Sequence, residues 1–180
     1  MELTTLEPII ASVAQLTLAS VLAAAAATKI SAPASWNAAL NGYRIKALAT
    51  PVVAWATPLI EAAVATSLVL GVEPAASATT MVLFVVFALV LTIAMMRGAD
   101  ADCGCLGELL TTRIGPEAVA RVAALAAIAG LMLGLVVEEP APPSQPLILA
   151  RAATVTLAVV AFMIYGRIRA QRVTNSTPSR

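Results

Sequence analysis

Two thiols, Cys103 and Cys105, are the only cysteines of the 180-residue chain and stand one glycine apart in the polar stretch RGADADCGCLGE, residues 97–108. The spacing is not C-x-x-C, and two thiols in a chain without histidine fall short of a structural zinc site. It does allow a small, strained disulfide, because Gly104 removes a Cβ clash and lets the backbone bend toward disulfide geometry. Strained disulfides are readily reduced, so the pair suits exchange better than bracing, and the loop it closes is too short to staple a fold. Asp100, Asp102 and Glu108 disfavour the thiolate, and Arg97 and Arg113 oppose them. Chemistry alone leaves three readings open: a redox-active dithiol, a metal site completed by Asp or Glu, or two small residues in a turn.

The second group with chemistry is Glu61, ten residues from both Pro51 and Gly71 in an otherwise apolar run. A carboxylate at the centre of a membrane helix costs at least about 2.5 kcal/mol on insertion scales. It has to face other helices, stay protonated or pair, and its candidate partners are Arg121, Arg151 and, behind them, Lys29. One reading is a proton- or quinone-facing group; the other is a buried ion pair or hydrogen bond that fixes helix packing. The absence of histidine removes His-ligated haem and any Ser-His or Cys-His catalytic pair.

The elements that must position these groups are membrane helices. The chain is 60% hydrophobic and only 12% charged, with a mean hydropathy of +0.92, against roughly 25% charge in soluble domains. Five continuous apolar segments are long enough to cross a bilayer: about Ile9–Thr28, Pro51–Val72, Ala75–Met96, Glu117–Val137 and Leu147–Gly166. Their continuity excludes the alternating pattern of a strand barrel and predicts an all-α bundle. The first segment resembles a secretory leader in its small residues, but MELTTLEP carries Glu2 and Glu7 and no basic residue, so it is expected to be a span.

Residues 29–50 have room for a short surface helix, with Trp36 and Tyr43 expected at the interface, as is Tyr165 near the end of the last span. Pro51 and Pro58 are expected to bend the second span. Glu73 and Pro74 make a tight turn, residues 138–146 a Pro-rich loop, and 167–180 a polar, disordered tail. The net charge of +1 and the lack of a basic, aromatic-laced patch exclude nucleic acid as a partner.

Orientation follows the basic residues of short loops. Lys29, Arg44, Lys46, Arg97, Arg113 and the arginines after Gly166 fall on one side of a five-span bundle. The other side has none, apart from Arg151 about a turn into the last span. The bias predicts a cell-membrane protein with its N-terminus outside, and its C-terminus and cysteine loop in the cytoplasm.

The order of features resembles the methylamine-utilisation protein MauE family, related to the DoxX-like membrane proteins. The resemblance is carried by AAATKI at the end of the first span, Tyr43, TPLIEAAVATSLVLG (57–71) and RG-x4-CGCLG (97–107), over about residues 5–137. Leu106 stands where the family usually has phenylalanine. The fifth segment and the tail carry no distinctive match. The resemblance implies a four-helix membrane domain with an added fifth helix. Its implied role is the processing, export or maturation of the disulfide-rich small subunit of methylamine dehydrogenase, or of another exported redox protein. A thioredoxin-like partner would assist it.

On that footing Cys103 and Cys105 are the expected exchange pair. Lys29 and Glu61 are matched polar positions, and Glu61 is expected to tune a membrane-embedded site. A quinone is the one cofactor considered, and no metal set is assigned. The alternatives are a non-catalytic membrane scaffold and a metal or small-solute carrier.

Overall fold

The computed structural model describes residues 3–99, 114–135 and 144–175, and these form six helices with no strand among them: α1 Leu3–Ser31, α2 Pro33–Gly42, α3 Pro51–Leu70, α4 Ala75–Met96, α5 Pro116–Leu135 and α6 Gln145–Asn175. Five of them, all but α2, are long and apolar enough to span a membrane. The protein is therefore an all-α, multi-pass membrane protein, as its continuous apolar runs predict.

Local chemistry sets the helix ends. Thr50 caps α3 by accepting a hydrogen bond from the Val53 amide at 3.3 Å, and Pro51 follows in the first helical position, where its missing N–H costs nothing. Both α3 and α4 close with a left-handed glycine. At Gly71 (φ 70°) the amides of Gly71 and Val72 return to the carbonyls of Leu68 and Ser67. At Gly98 (φ 64°) the amides of Gly98 and Ala99 return to Met95 and Ala94. Each is a Schellman closure, which satisfies carbonyls the helix would otherwise leave unpaired. The Glu73 carboxylate takes up the opposite task at the start of α4, accepting from the Ser77 amide and from Gln15 Nε2, both at 3.2 Å.

α1 is the central element and packs on α3, α5 and α6; α4 packs along α5. Buried residues repeat every three or four positions, as in Ala118, Val122, Ala126, Ala129 and Met132 of α5, the stripe an amphipathic contact requires. Ala24, Ala25 and Ala26 are buried in α1, so this run of alanines serves close helix approach.

Two expectations are corrected. Trp36 and Tyr43 do not face outward: they are 8% and 3% exposed, because α2 lies on the end of the bundle with one face, Trp36, Ala39 and Leu40, turned into it. The last helix does not stop near Gly166 but continues to Asn175, since Arg, Ala and Gln there favour helix once the apolar run has left the bilayer. Tyr165 is exposed at the end of the last apolar segment long enough to span a membrane.

Candidate functional site

Glu61 is fully buried in the middle of α3, and its partner is Lys29. The Lys29 Nζ donates to Glu61 Oε1 at 2.7 Å and to Oε2 at 2.9 Å, and the two side chains are 2% and 0% exposed. Among the described residues neither Arg121 nor Arg151, the partners placed first from sequence, forms an ion pair: Arg121 is exposed on α5 and Arg151 is half-buried near the start of α6. Helix geometry explains the choice. Cα–Cβ bonds tilt toward the helix N-terminus, so a lysine in the last turn of α1 is directed back into the bundle instead of beyond its end. Such a pair is weak support for net stability, because desolvation of both charges offsets their attraction. It does fix register, since each charge tolerates only a site that holds the other.

The neighbourhood of the ammonium is aromatic. Lys29 Nζ lies 5.1 Å from the Trp36 ring centroid and 5.9 Å from that of Phe87, within cation–π range. Trp36 is held by a defect in α3. Pro58 lacks an N–H, which leaves the carbonyl of Ala54 without its helical donor. The indole Nε1 of Trp36 donates to that same carbonyl at 3.0 Å. A proline in one helix and a tryptophan in another thus complete one hydrogen bond, which pins α2 to α3 and sets the indole beside Lys29. The pairing was readable in principle: a proline inside a membrane helix predicts an orphan carbonyl, and Trp36 is the nearby residue type that donates without accepting.

Beside the pair, α3 and α4 stand apart and leave a cavity of about 220 Å³. Lys29, Trp36 and Phe87 line one part of it, and Thr57, Ile60 and Val86 lie on the α3 and α4 sides. Apart from Lys29, Thr57 and the hydroxyl of Tyr43, its lining is hydrocarbon or aromatic.

The cysteine loop starts from this same end of the molecule. Arg97 Nη1 donates to the Arg44 carbonyl at 3.0 Å, and Arg44 Nη1 returns to the Arg97 carbonyl at 3.4 Å. Arg44 itself is left-handed (φ 58°), an uncommon state for a non-glycine residue, here held within that two-way clamp. With Gly98 reversing the chain and Ala99 buried, the Arg-Gly before the cysteines directs the chain out of α4 and ties it to the α2–α3 connection. Cys103, Cys105 and the loop acids lie outside the described residues, so their expected roles carry no geometry. Among the described residues no group of three Cys, Asp or Glu side chains is placed to hold a metal ion.

The polar positions and motifs read as a set from sequence therefore converge: Lys29, Tyr43, Pro58, Glu61 and Arg97-Gly98 lie between the middle of α3 and the end of the bundle where α1 and α4 close. Comparison with known proteins agrees. The family described as methylamine utilisation protein MauE matches residues 7–137. A curated relative, Methylamine utilization protein MauE of Paracoccus denitrificans, is 32% identical over 184 residues, covering 96% of this chain and 95% of its own length. Coverage that broad takes in α6, which the motifs leave unmatched. No solved structure matches the chain. This multi-pass membrane protein belongs to the MauE family.

Proposed function

We propose that the protein serves methylamine utilisation as a membrane thiol–disulfide component that assists processing, transport or maturation of the methylamine dehydrogenase small subunit or another exported redox protein. The observation that carries this reading is the sequence and setting of the RG-x4-CGC element: a lone dithiol follows directly on a turn that Gly98 and the Arg97–Arg44 clamp tie to the bundle. The name of the curated relative supports the pathway, and the strain of a Cys-Gly-Cys disulfide supports exchange over bracing.

In the exchange, the thiolate of one cysteine attacks a disulfide of the client or of a thioredoxin-like partner, and one sulfur of that disulfide leaves as a thiolate. The second cysteine resolves the mixed disulfide. The products are a Cys103–Cys105 disulfide and a reduced client that takes up two protons; the reverse sequence oxidises the client. Glu61 acts on this site only through Lys29 and the packing of α1 against α3.

A Cys105→Ser variant is expected to accumulate a mixed disulfide through Cys103, resolved on a non-reducing gel and released by dithiothreitol. Full support of methylamine dehydrogenase maturation by the Cys103→Ser/Cys105→Ser double variant would end this reading and leave the helical scaffold in its place. The basic loops favour a cytoplasmic cysteine loop with the C-terminus on the same side, and because exchange needs direct sulfur contact, the pair there meets an exported client before its export or through a partner that completes the relay. An impermeant maleimide is then expected to label the cysteines only after cells are opened.

A further inference from the structure

The cavity between α3 and α4 is not used by the exchange reading, and its position is specific. Ile60 is the tenth residue of α3 and Val86 the twelfth of α4, so both sit near mid-helix. Both line the cavity and are 48% and 46% exposed, so the opening faces sideways at the depth of the hydrocarbon core. A lipid-soluble molecule has a direct way in there.

Its size, charge and donors narrow the occupant. A dry apolar cavity of about 150 Å³ holds one benzene ring, so about 220 Å³ takes a single substituted ring and not a macrocycle. The indole of Trp36 and the ring of Phe87 supply flat surfaces for it. An ammonium has three N–H donors, and Glu61 takes two of those on Lys29, which leaves one for a further acceptor. Glu61 also neutralises the lysine, so the site has no net attraction for an anionic headgroup. A neutral ring bearing carbonyl acceptors fits each of these conditions.

We infer that the α3–α4 cavity binds the head of a membrane benzoquinone, with a ring carbonyl accepting from Lys29 Nζ, the ring against Trp36 and Phe87, and the tail leaving between Ile60 and Val86. The inference concerns binding and does not rest on the thiol-exchange reading. The Cys103→Ser/Cys105→Ser variant is expected to bind the quinone as the parent does, whichever way the mixed-disulfide experiment falls.

The chain has two tryptophans, and Trp55 is exposed on α3 away from the cavity lining. A Trp55→Phe protein in quinone-free nanodiscs therefore reports from Trp36 alone. Titration with decylubiquinone is expected to quench Trp36 saturably. Val86→Phe, which plugs the opening from an exposed position, should weaken the apparent Kd about tenfold, a change typical of one lost well-fitted contact. The Lys29→Met/Glu61→Leu double variant removes the donor without leaving a lone buried charge, and should weaken it by a similar factor, about the worth of one hydrogen bond. Quenching that stays linear in quinone overturns the inference, as does a Kd unchanged by Val86→Phe. If Val86→Phe weakens binding and the double variant does not, the cavity holds a hydrocarbon chain and the assignment of a quinone head is wrong.

Discussion

α4 has two unlike sides. Toward α5 the contact is close along most of its length, and Gly130 lets Met81 approach so far that an added Cβ would lie 3.2 Å from its sulfur. Toward α3 the helices touch sparingly, and the space between them holds a cavity with the only buried ion pair among the described residues at its edge. Without a hydrophobic force between helices in lipid, close packing of small residues is the main route to association. A bundle that packs tightly on one side and stays open beside a buried charge on the other is divided between a structural seam and a site. The division can be tested by making matched changes on the two sides.

The largest effect belongs to the open side. Lys29→Met alone, or Glu61→Leu alone, leaves one charge buried without its partner, and should cost about 3–5 kcal/mol. The double variant is expected to recover most of that loss, because a buried pair and a well-packed apolar replacement are close in free energy. Unfolding in mixed micelles, run as a double-mutant cycle, measures the coupling. Equal and additive losses would mean that the pair is incidental to the fold.

On the closed side, Ala129 is fully buried in α5. Ala129→Leu should cost about 1–3 kcal/mol by overpacking. Leu83→Phe, which likewise adds three carbon atoms but on the cavity lining, should cost less than about 1.5 kcal/mol, because it grows into existing space. If the two substitutions cost the same in the same unfolding assay, the two sides of α4 do not differ in packing and the cavity is not a space kept for a ligand.

The next effect tests what holds the open side in shape. Trp36→Phe deprives the Ala54 carbonyl of its donor, an orphaned buried acceptor worth about 1–3 kcal/mol. Pro58→Ala restores a backbone N–H at the residue that normally serves that carbonyl. In the Trp36→Phe background, Pro58→Ala should therefore regain stability, whereas in the parent it should gain little. Rescue in one background only is the signature of a proline and a tryptophan sharing one acceptor.

What was legible in the sequence follows the same physics. Long apolar runs had one solution in a bilayer, so the five spans were secure, and Ala75–Met96 was placed to the residue because a tight turn and an Arg-Gly bound it. The family was legible from spaced polar residues inside apolar runs, which have few reasons to be there. The partner of Glu61 was placed last because Lys29 stands near the end of its helix, where lysines usually reach outward; that its side chain turns back into the bundle is a tertiary fact. Trp36 and Tyr43 were misplaced for the same reason. An aromatic residue in a short linking helix reads as interfacial until the bundle end it fills is known.

The smallest effect resolves the comparison most finely. Gly130 and Gly134 lie one turn apart in α5, and glycine in a helix interior costs roughly 0.5–1 kcal/mol relative to alanine. At Gly134, the last residue but one of α5, an added Cβ meets nothing within 4 Å, so Gly134→Ala should gain with no steric loss. At Gly130 it meets the Met81 sulfur at 3.2 Å, and the flexible thioether has to move by a few tenths of an ångström. Gly130→Ala should fall short of Gly134→Ala by about 0.5 kcal/mol, the part of the helix gain lost to that shift. Because the two sites share one helix, part of the propensity cancels in the difference in unfolding free energy between the variants, and the steric remainder at Gly130 reports the tightness of the α4–α5 contact. A difference of zero would mean that Met81 yields freely, and that α4 is no more firmly held on its α5 side than beside the cavity.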